Sequence, residues 1–359
     1  MSIERLRSSI EEVDDQMLEL LQRRARVVLE LAEHKRAAGL PPHEPEREAR
    51  LFKRLTEAAT AAGSALPTSS IRAVFREVLS ACLSLEQLQR VAYMGPGGTF
   101  SHIAARAAFG MAAEYVEYPT IGSVIDAVAR DAVRFGVVPI ENSTEGGVTA
   151  TLDGLIDADV MIGRELVIQV PQCLIGSEQD LTKIERVYSH PQPLAQCRTW
   201  LARHLPLAEL VPSSSTAAAA RLAVDDAAAA AIGSRLSAEL YGLSVIRENV
   251  QDRPENATRF VVLGKSDAAP SGEDKTSLVF TTAHARGALR RALEIFDDEA
   301  INLSRIESRP SLSKRWEYVF FTDLEGHRND EAVARAIERL RAGCSMVKVL
   351  GSYPRSDLP

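Results

Sequence analysis

Apolar residues recur every three or four positions from the start of the chain, at Ile3, Leu6, Ile10, Val13, Met17, Leu20, Val27 and Leu31. That spacing predicts a long helix with a narrow apolar seam, suited to pairing with another helix. Gly39-Leu40-Pro41-Pro42-His43 interrupts it, Pro45 opens a second helix, and Leu66-Pro67-Thr68-Ser69 precedes a third. Three helices of unequal length cannot bury such a seam by themselves, so a helical dimer is expected.

From Val91 the period changes. Short apolar runs such as Val91-Ala92-Tyr93-Met94 and Phe135-Gly136-Val137-Val138 alternate with helical stretches, which predicts α/β architecture. The last run is Phe260-Val261-Val262-Leu263, and the small polar residues 266–274 that follow read as a linker. Beyond it the pattern predicts strand 276–282, helix 287–296, strands 301–308 and 316–322, helix 330–341 and strand 346–352, the β-α-β-β-α-β order of a ferredoxin-like module. Alanine-rich pieces near Ala217 and Ala227 read as a helix and a buried strand. The expected organisation is multidomain: all-α over 1–90, α/β over 91–265 and α+β over 275–359.

Composition narrows the chemistry. A chain of 359 residues suits two or three domains, and 45% apolar with 25% charged residues is ordinary for a globular protein. The net charge of -7 argues against nucleic acid as a partner, so a small anionic ligand is expected to be held by local arginines. Met1-Ser2-Ile3-Glu4-Arg5 has no apolar signal core and no run reaches the roughly 18 to 20 apolar residues of a membrane span, which predicts a cytoplasmic protein without a membrane partner. Cys82, Cys173, Cys197 and Cys344 are scattered and read as reduced thiols rather than metal ligands.

Two cations interrupt the apolar face of the first helix. Arg24 occupies a seam position, and Lys35, eleven residues on, is rotated from it by only about 20°. On the third helix Phe75, Leu79, Cys82 and Glu86 form a stripe ending in a carboxyl group, which is costly to bury unless protonated or paired. Pairing across a helix interface, or snorkelling to water, accounts for these charges structurally. Arg7, the run Asp14-x-x-Met17-Leu18-x-Leu20-Leu21-x-x-Arg24, Lys35 and Pro45-x-Arg47-Glu48 together resemble the all-helical chorismate mutase family over nearly all of 1–90. The resemblance implies an intertwined dimer in which Arg24, Lys35 and Arg47, with Arg7 from the second chain, hold the two carboxylates of chorismate while Glu48 binds its hydroxyl. The reaction is an intramolecular Claisen rearrangement, which needs a compact substrate conformation and stabilised charge on the ether oxygen, with no cofactor. Lys35 and Glu86 are expected to face that oxygen. Some relatives carry glutamine in place of Glu86, which donates a hydrogen bond only when protonated. Glu44 and Cys82 stand where relatives have aspartate and serine.

In the α/β segment, polar residues collect where strands end. Gly95-Pro96-Gly97-Gly98-Thr99-Phe100-Ser101 joins a strand to a helix and offers N–H groups and the Thr99 and Ser101 hydroxyls to an anion, although it lacks the third glycine of a dinucleotide site and the lysine of a P-loop. Pro139-Ile140-Glu141-Asn142-Ser143 and Ser189-His190-Pro191-Gln192 end other strands, and Gln192 and Gln196 share a helix face. Turn and capping chemistry explains Asn142, Ser189 and Pro193 singly; His190, before a proline and without an acidic partner, reads as structural. Thr258 by itself is an ordinary strand threonine. Taken together with Thr258-Arg259-Phe260, these motifs resemble prephenate dehydratases across the segment. The resemblance implies two lobes of periplasmic-binding-protein type around a cleft. Thr258, Asn142, Ser189 and Gln196 would be the catalytic polar residues, and Thr99, Ser101, Glu141, Arg259 and Phe260 would contact substrate.

Gly287-Ala288-Leu289 and Ile301-Asn302-Leu303-Ser304-Arg305-Ile306-Glu307-Ser308-Arg309-Pro310 read locally as a helix start and a strand end. They resemble the amino-acid-binding ACT domain over 275–359. Phenylalanine is then expected between paired modules, near Gly287, Ala288, Leu289, Asn302, Leu303, Glu307, Ser308, Arg309 and Pro310. Arg286 replaces a proline frequent among relatives. The whole chain thus resembles bifunctional mutase/dehydratases of phenylalanine biosynthesis: feedback-inhibited, without cofactor or metal, and dimeric or tetrameric. A single-activity dehydratase with a helical dimerisation arm, and a non-catalytic amino-acid sensor, are the readings left open beside it.

Overall fold

The computed structural model describes residues 2–40, 43–253, 255–311 and 317–356. The Pro41-Pro42 break and the expected strand start at Trp316 lie outside the described residues. The chain divides into two compact units, Met1–Gln89 with Phe109–Glu114, and Arg90–Ala108 with Tyr115–Pro359.

The helical unit holds α1 (Ile3–Ala38), α2 (Pro45–Ala61) and α3 (Thr68–Glu86). Ser2 caps α1 by accepting from the Arg5 N–H, and Gly39, at φ +66°, ends it in the left-handed conformation that glycine tolerates. At 36 residues α1 is about twice as long as α2 and α3, with 17 and 19. Most of its seam therefore lies uncovered in one chain, Ile10 being 61% and Leu20 63% exposed. No described helix is long and apolar enough to cross a membrane.

The second unit continues with β1 (Arg90–Met94), α4 (Phe100–Phe109), β2 (Glu114–Tyr118), α5 (Ile121–Ala129), β3 (Phe135–Asn142), β4 (Gly146–Gly147), α6 (Thr149–Asp157) and β5 (Met161–Gln169). A second lobe follows with β6 (Cys173–Gly176), β7 (Arg186–Ser189), α7 (Pro191–Gln196), α8 (Arg198–His204), β8 (Glu209–Pro212), α9 (Thr216–Val224), β9 (Ala229–Gly233), α10 (Arg235–Tyr241) and β10 (Ser244–Arg247). β11 (Ala257–Gly264) returns to the first lobe, giving sheet orders β2-β1-β3-β11-β5, with β4 on β3, and β10-β6-β9-β7-β8. The alanine-rich pieces are α9 and the wholly buried β9, where small side chains let the helix and strand pack closely.

The C-terminal part comprises β12 (Asp274–Thr281), α11 (Ala288–Asp298), β13 (Leu303–Pro310), β14 (Tyr318–Glu325), α12 (Glu331–Gly343) and β15 (Met346–Pro354), in an antiparallel sheet of order β13-β14-β12-β15. Both faces of this sheet are covered. Leu278 and Phe280 pack with Phe296 and Leu340 of its own helices, whereas Val279, Phe321 and Leu350 join Val261 and Ile162 in the core of the preceding sheet. The expected polar linker is correspondingly a packed strap: Ala268 is buried, its N–H donates to Ser352 O (3.0 Å), and its carbonyl meets the His327 ring (3.0 Å). Lys348 Nζ donates to the carbonyls of Leu155, Ile156 and Ala158 (2.9, 2.9 and 2.7 Å), closing the C-terminus of α6 from β15.

At Gly351 the two sheets approach closely. Its φ is +151°, and a Cβ there would lie 2.2 Å from Ile162 O. Gly351→Ala is expected to cost on the order of 1–3 kcal/mol, read as a lower melting temperature in thermal unfolding; an unchanged melt would refute the close contact.

Candidate active sites

In the helical unit, Lys35 is buried and lies 2.7 Å from Glu44 Oε1 and 3.9 Å from Glu86 Oε2. Three elements thus meet at one ammonium: the end of α1, the loop before α2 and the end of α3. Arg24 Nη1 and Glu86 Oε2 are buried without a hydrogen-bond partner among the described residues, a combination suited to a ligand that both accepts and donates. Cys82 is buried on the same stripe as Glu86. Glu48 is held by Arg76 and lies 3.5 Å from His43, while Arg47 is exposed. Arg7 is exposed and sits 28 residues before Lys35 on the same continuous helix, about 42 Å away at 1.5 Å per residue. It cannot reach the Lys35 site of its own chain.

The second unit contains a cavity of about 490 Å³ whose lining includes Asn142, Gln196, Asn256, Thr258 and Phe260. Strand pairing explains how the first lobe supplies its floor. β11 runs antiparallel to β3 with Thr258 opposite Asn142 and Arg259 opposite Glu141, but Phe260 faces Pro139, so β3 carries one extra residue at Ile140. This bulge lets Pro139 and Asn142, three apart, both line the cavity.

Asn142 Nδ2 donates to the Thr258 hydroxyl (2.9 Å) and to Asn256 Oδ1 (3.2 Å). The amide cannot be turned over, because the Thr144 N–H, an obligate donor, meets Asn142 Oδ1 at 3.0 Å. Asn256 Nδ2 continues the chain to Gln196 Oε1 (3.1 Å). Since Thr258 Oγ1 accepts from Asn142, its own hydrogen is left for a group in the cavity. Asn256 is not among the expected site residues, although strand periodicity alone places residues 256, 258 and 260 on one face.

Other expected residues are elsewhere. Arg259, read as a substrate contact, turns to the opposite face of β11 and meets Glu165 (2.8 Å) and Asp323 (2.5 Å). Its strand neighbour Glu141 likewise points away from the cavity, toward Arg259 (3.5 Å) and Arg305 (3.4 Å). The period of two forces both corrections once Thr258 and Asn142 face inward. Ser189 is fully buried; its hydroxyl donates to Ile232 O (2.8 Å) across the β7–β9 pair, and it does not line the cavity. Thr99 lines the cavity but donates to Met94 O (2.9 Å), while Ser101 also lines it. His190 caps α7, its Nδ1 accepting from Gln192 N (3.4 Å).

No arginine or lysine is among the described lining residues, contrary to the expectation that local arginines hold the anion. Instead the first turns of five helices converge there: Phe100 and Ser101 of α4, Ile121 of α5, Thr149 of α6, Gln192 of α7 and Thr216 of α9. Helix N-termini present N–H groups and the positive ends of their dipoles, which attract anions without a formal charge.

In the C-terminal part, a smaller cavity of about 220 Å³ is lined by residues 282–285 together with Gly287, Ala288, Leu289, Tyr318 and Phe320. Asn302, Leu303 and residues 307–310 do not line it. Glu307 pairs with Arg305, and Arg309 pairs with Asp153 of α6 (3.3 Å), so both side chains turn toward the neighbouring lobe, while Asn302, Ser308 and Pro310 are exposed on the edge strand β13 and beside it.

The sequence matches the chorismate mutase type II family over residues 6–87, the prephenate dehydratase family over 91–268 and the ACT domain over 276–342. It is 42% identical to the bifunctional chorismate mutase/prephenate dehydratase of Aquifex aeolicus over 99% of both chains, and 41% identical to that of Stutzerimonas stutzeri over 98% of both. Among solved structures, a prephenate dehydratase from Arthrobacter aurescens in complex with L-Phe is 37% identical with a TM-score of 0.69, covering 74% of this chain and 90% of that one. With likeness extending over all three parts of the chain in one order, the chain belongs to the bifunctional chorismate mutase/prephenate dehydratase family.

Proposed function

We propose that residues 1–90 convert chorismate to prephenate, that residues 91–265 convert prephenate to phenylpyruvate, and that residues 275–359 carry phenylalanine inhibition. The observation that carries the second step is the Asn142–Thr258 hydrogen bond of 2.9 Å in the floor of the cavity. Prephenate loses its ring carboxylate as CO2, and the bonding pair passes into the ring as the ring hydroxyl departs, taking up one proton as water. Aromatisation supplies the driving force, so the site needs only to orient the substrate and assist the departing oxygen. Asn142 fixes the Thr258 oxygen, and the Thr258 hydrogen points to that leaving group. A threonine hydroxyl is a weak acid, so it donates a hydrogen bond or relays a proton rather than acting as the ultimate source. The remaining carboxylate is held by the helix N-termini, and Gln196, through Asn256, joins the two lobes across the substrate.

For the mutase step, Arg24 and Lys35 face the substrate carboxylates and ether oxygen, and Glu86 completes the site. Arg7 serves the site of a second copy, because its own Lys35 is out of reach along α1. A homodimer paired along the exposed α1 seam satisfies both this constraint and the burial of Ile10, Met17 and Leu20. Phenylalanine binds at the Gly287 cavity, with Asn302 and Leu303 brought in by a second module.

Three outcomes are expected. Thr258→Ala lowers dehydratase kcat by about 100-fold or more while chorismate turnover in the same sample is kept; near-normal phenylpyruvate formation would sink the assignment. Glu86→Ala lowers mutase kcat by about tenfold or more while dehydratase turnover in the same sample is kept; an unchanged mutase rate removes Glu86 from the site. Saturating phenylalanine lowers dehydratase turnover by about fivefold or more, and an unaffected rate rules out the regulatory role.

A further inference from the structure

The residue next to Thr258 makes the densest set of polar contacts in the second unit. Arg259 Nε meets Glu165 Oε2 (2.8 Å), Nη1 meets Asp323 Oδ2 (2.5 Å), and Nη2 donates to the Tyr353 hydroxyl (2.9 Å). Asp323 is itself oriented by Ser277 Oγ (2.5 Å), which also bonds the Tyr353 hydroxyl (2.6 Å). Lys275 Nζ reaches both Glu165 oxygens at 2.9 Å, and Arg305 reaches Glu141 at 3.4 Å. Burial alone would push the Asp323 carboxyl up, but Arg259 beside it and the Ser277 bond hold it below the usual carboxylate range. Burial pushes the Tyr353 phenol up, so it remains a neutral hydroxyl.

A buried ion-pair network is a weak source of stability, because desolvation cancels most of the attraction. What this one does provide is geometry. Asp323, Tyr353, Ser277 and Lys275 all belong to β14, β15 and β12 of the C-terminal sheet, whereas Arg259 and Glu141 are the immediate strand neighbours of Thr258 and Asn142. A side chain clamped at all three guanidinium nitrogens fixes the twist of its backbone, and one residue earlier in the strand that twist sets where the Thr258 oxygen lies. The bulge at Ile140 makes the clamp more consequential, since the ladder lacks its regular pairing there.

Resting on the active-site reading above, we infer that Arg259 is a positioning residue for the dehydratase reaction, anchored by Asp323 and Tyr353 of the C-terminal sheet, and that it holds Thr258 and Asn142 in working register. The C-terminal module is then a structural part of the dehydratase site as well as an effector sensor.

The test uses the full chain, with mutase turnover of each sample counting folded molecules, since the mutase residues lie in the other compact unit. Arg259→Lys and Asp323→Asn are expected to lower the dehydratase-to-mutase ratio by about tenfold, in kcat, with KM for prephenate changed less than about threefold. Introduced on top of Thr258→Ala, Asp323→Asn is expected to lower the residual rate less than about twofold, because its effect passes through Thr258. A merely structural role predicts the same fold-loss in both backgrounds, and that result overturns the inference, as does a ratio within about twofold of the parent for either single variant. Should either variant fail to fold, Tyr353→Phe removes one hydroxyl at constant shape; a loss of about threefold, absent in the Thr258→Ala background, supports the role, and an unchanged ratio overturns it. Should Thr258→Ala keep normal turnover, the active-site reading falls and takes this inference with it. A normal ratio for Asp323→Asn in a chain that Thr258→Ala silences removes the positioning role alone.

Discussion

The antiparallel pairing of β3 with β11 is the constraint on which the second unit depends. One ladder brings Thr258 opposite Asn142 and Arg259 opposite Glu141. Because successive side chains point to opposite faces, the first pair is delivered to the cavity and the second to the C-terminal sheet. A slip of one residue would exchange the two sets, putting charges in the cavity and the hydroxyl against Asp323. Register is therefore locked from both sides, by the Asn142–Thr258–Asn256 bonds in front and the Arg259–Glu165–Asp323 contacts behind.

On the functions proposed above, the two sites handle anions in different ways, and the chemistry explains why. Chorismate keeps both carboxylates through its rearrangement, so fixed cations such as Lys35 and Arg24 stabilise substrate and transition state without opposing the reaction. In the dehydratase step one carboxylate leaves as neutral CO2. A full positive charge against that group would stabilise the reactant more than the transition state and slow the step. The described lining of the cavity has no arginine or lysine and includes the first turns of five helices, an arrangement that on this reading leaves the departing charge weakly held.

Packing also changes what the C-terminal module is. Val279, Phe321 and Leu350 share a core with Val261 and Ile162, and Lys348 and Arg309 grip α6, whose first residue lines the cavity. The module touches both the strand and the helix that shape the cavity, through close-packed contacts of the kind that transmit strain.

Much of this was legible in the order of the residues. The α1 seam, the α/β alternation and the β-α-β-β-α-β module follow from periodicity, and Thr258, Asn142 and Gln196 stand out as polar residues at element ends. Periodicity could not say what covers each face. The family resemblance places Arg259 and Glu141 among the substrate contacts, the net charge leads to an expectation of arginines where helix ends converge, and the small polar residues 266–274 read as a linker although Ala268 is buried. The same resemblance assigns Ser189 to the cleft, whereas its hydroxyl is spent on Ile232 O. A sequence determines which residues can share a face, because that depends only on the local backbone repeat. Which of two faces meets a cavity and which meets another sheet is decided by long-range packing, and here that choice separates the Thr258 hydroxyl in the cavity from the charges behind it by a single residue.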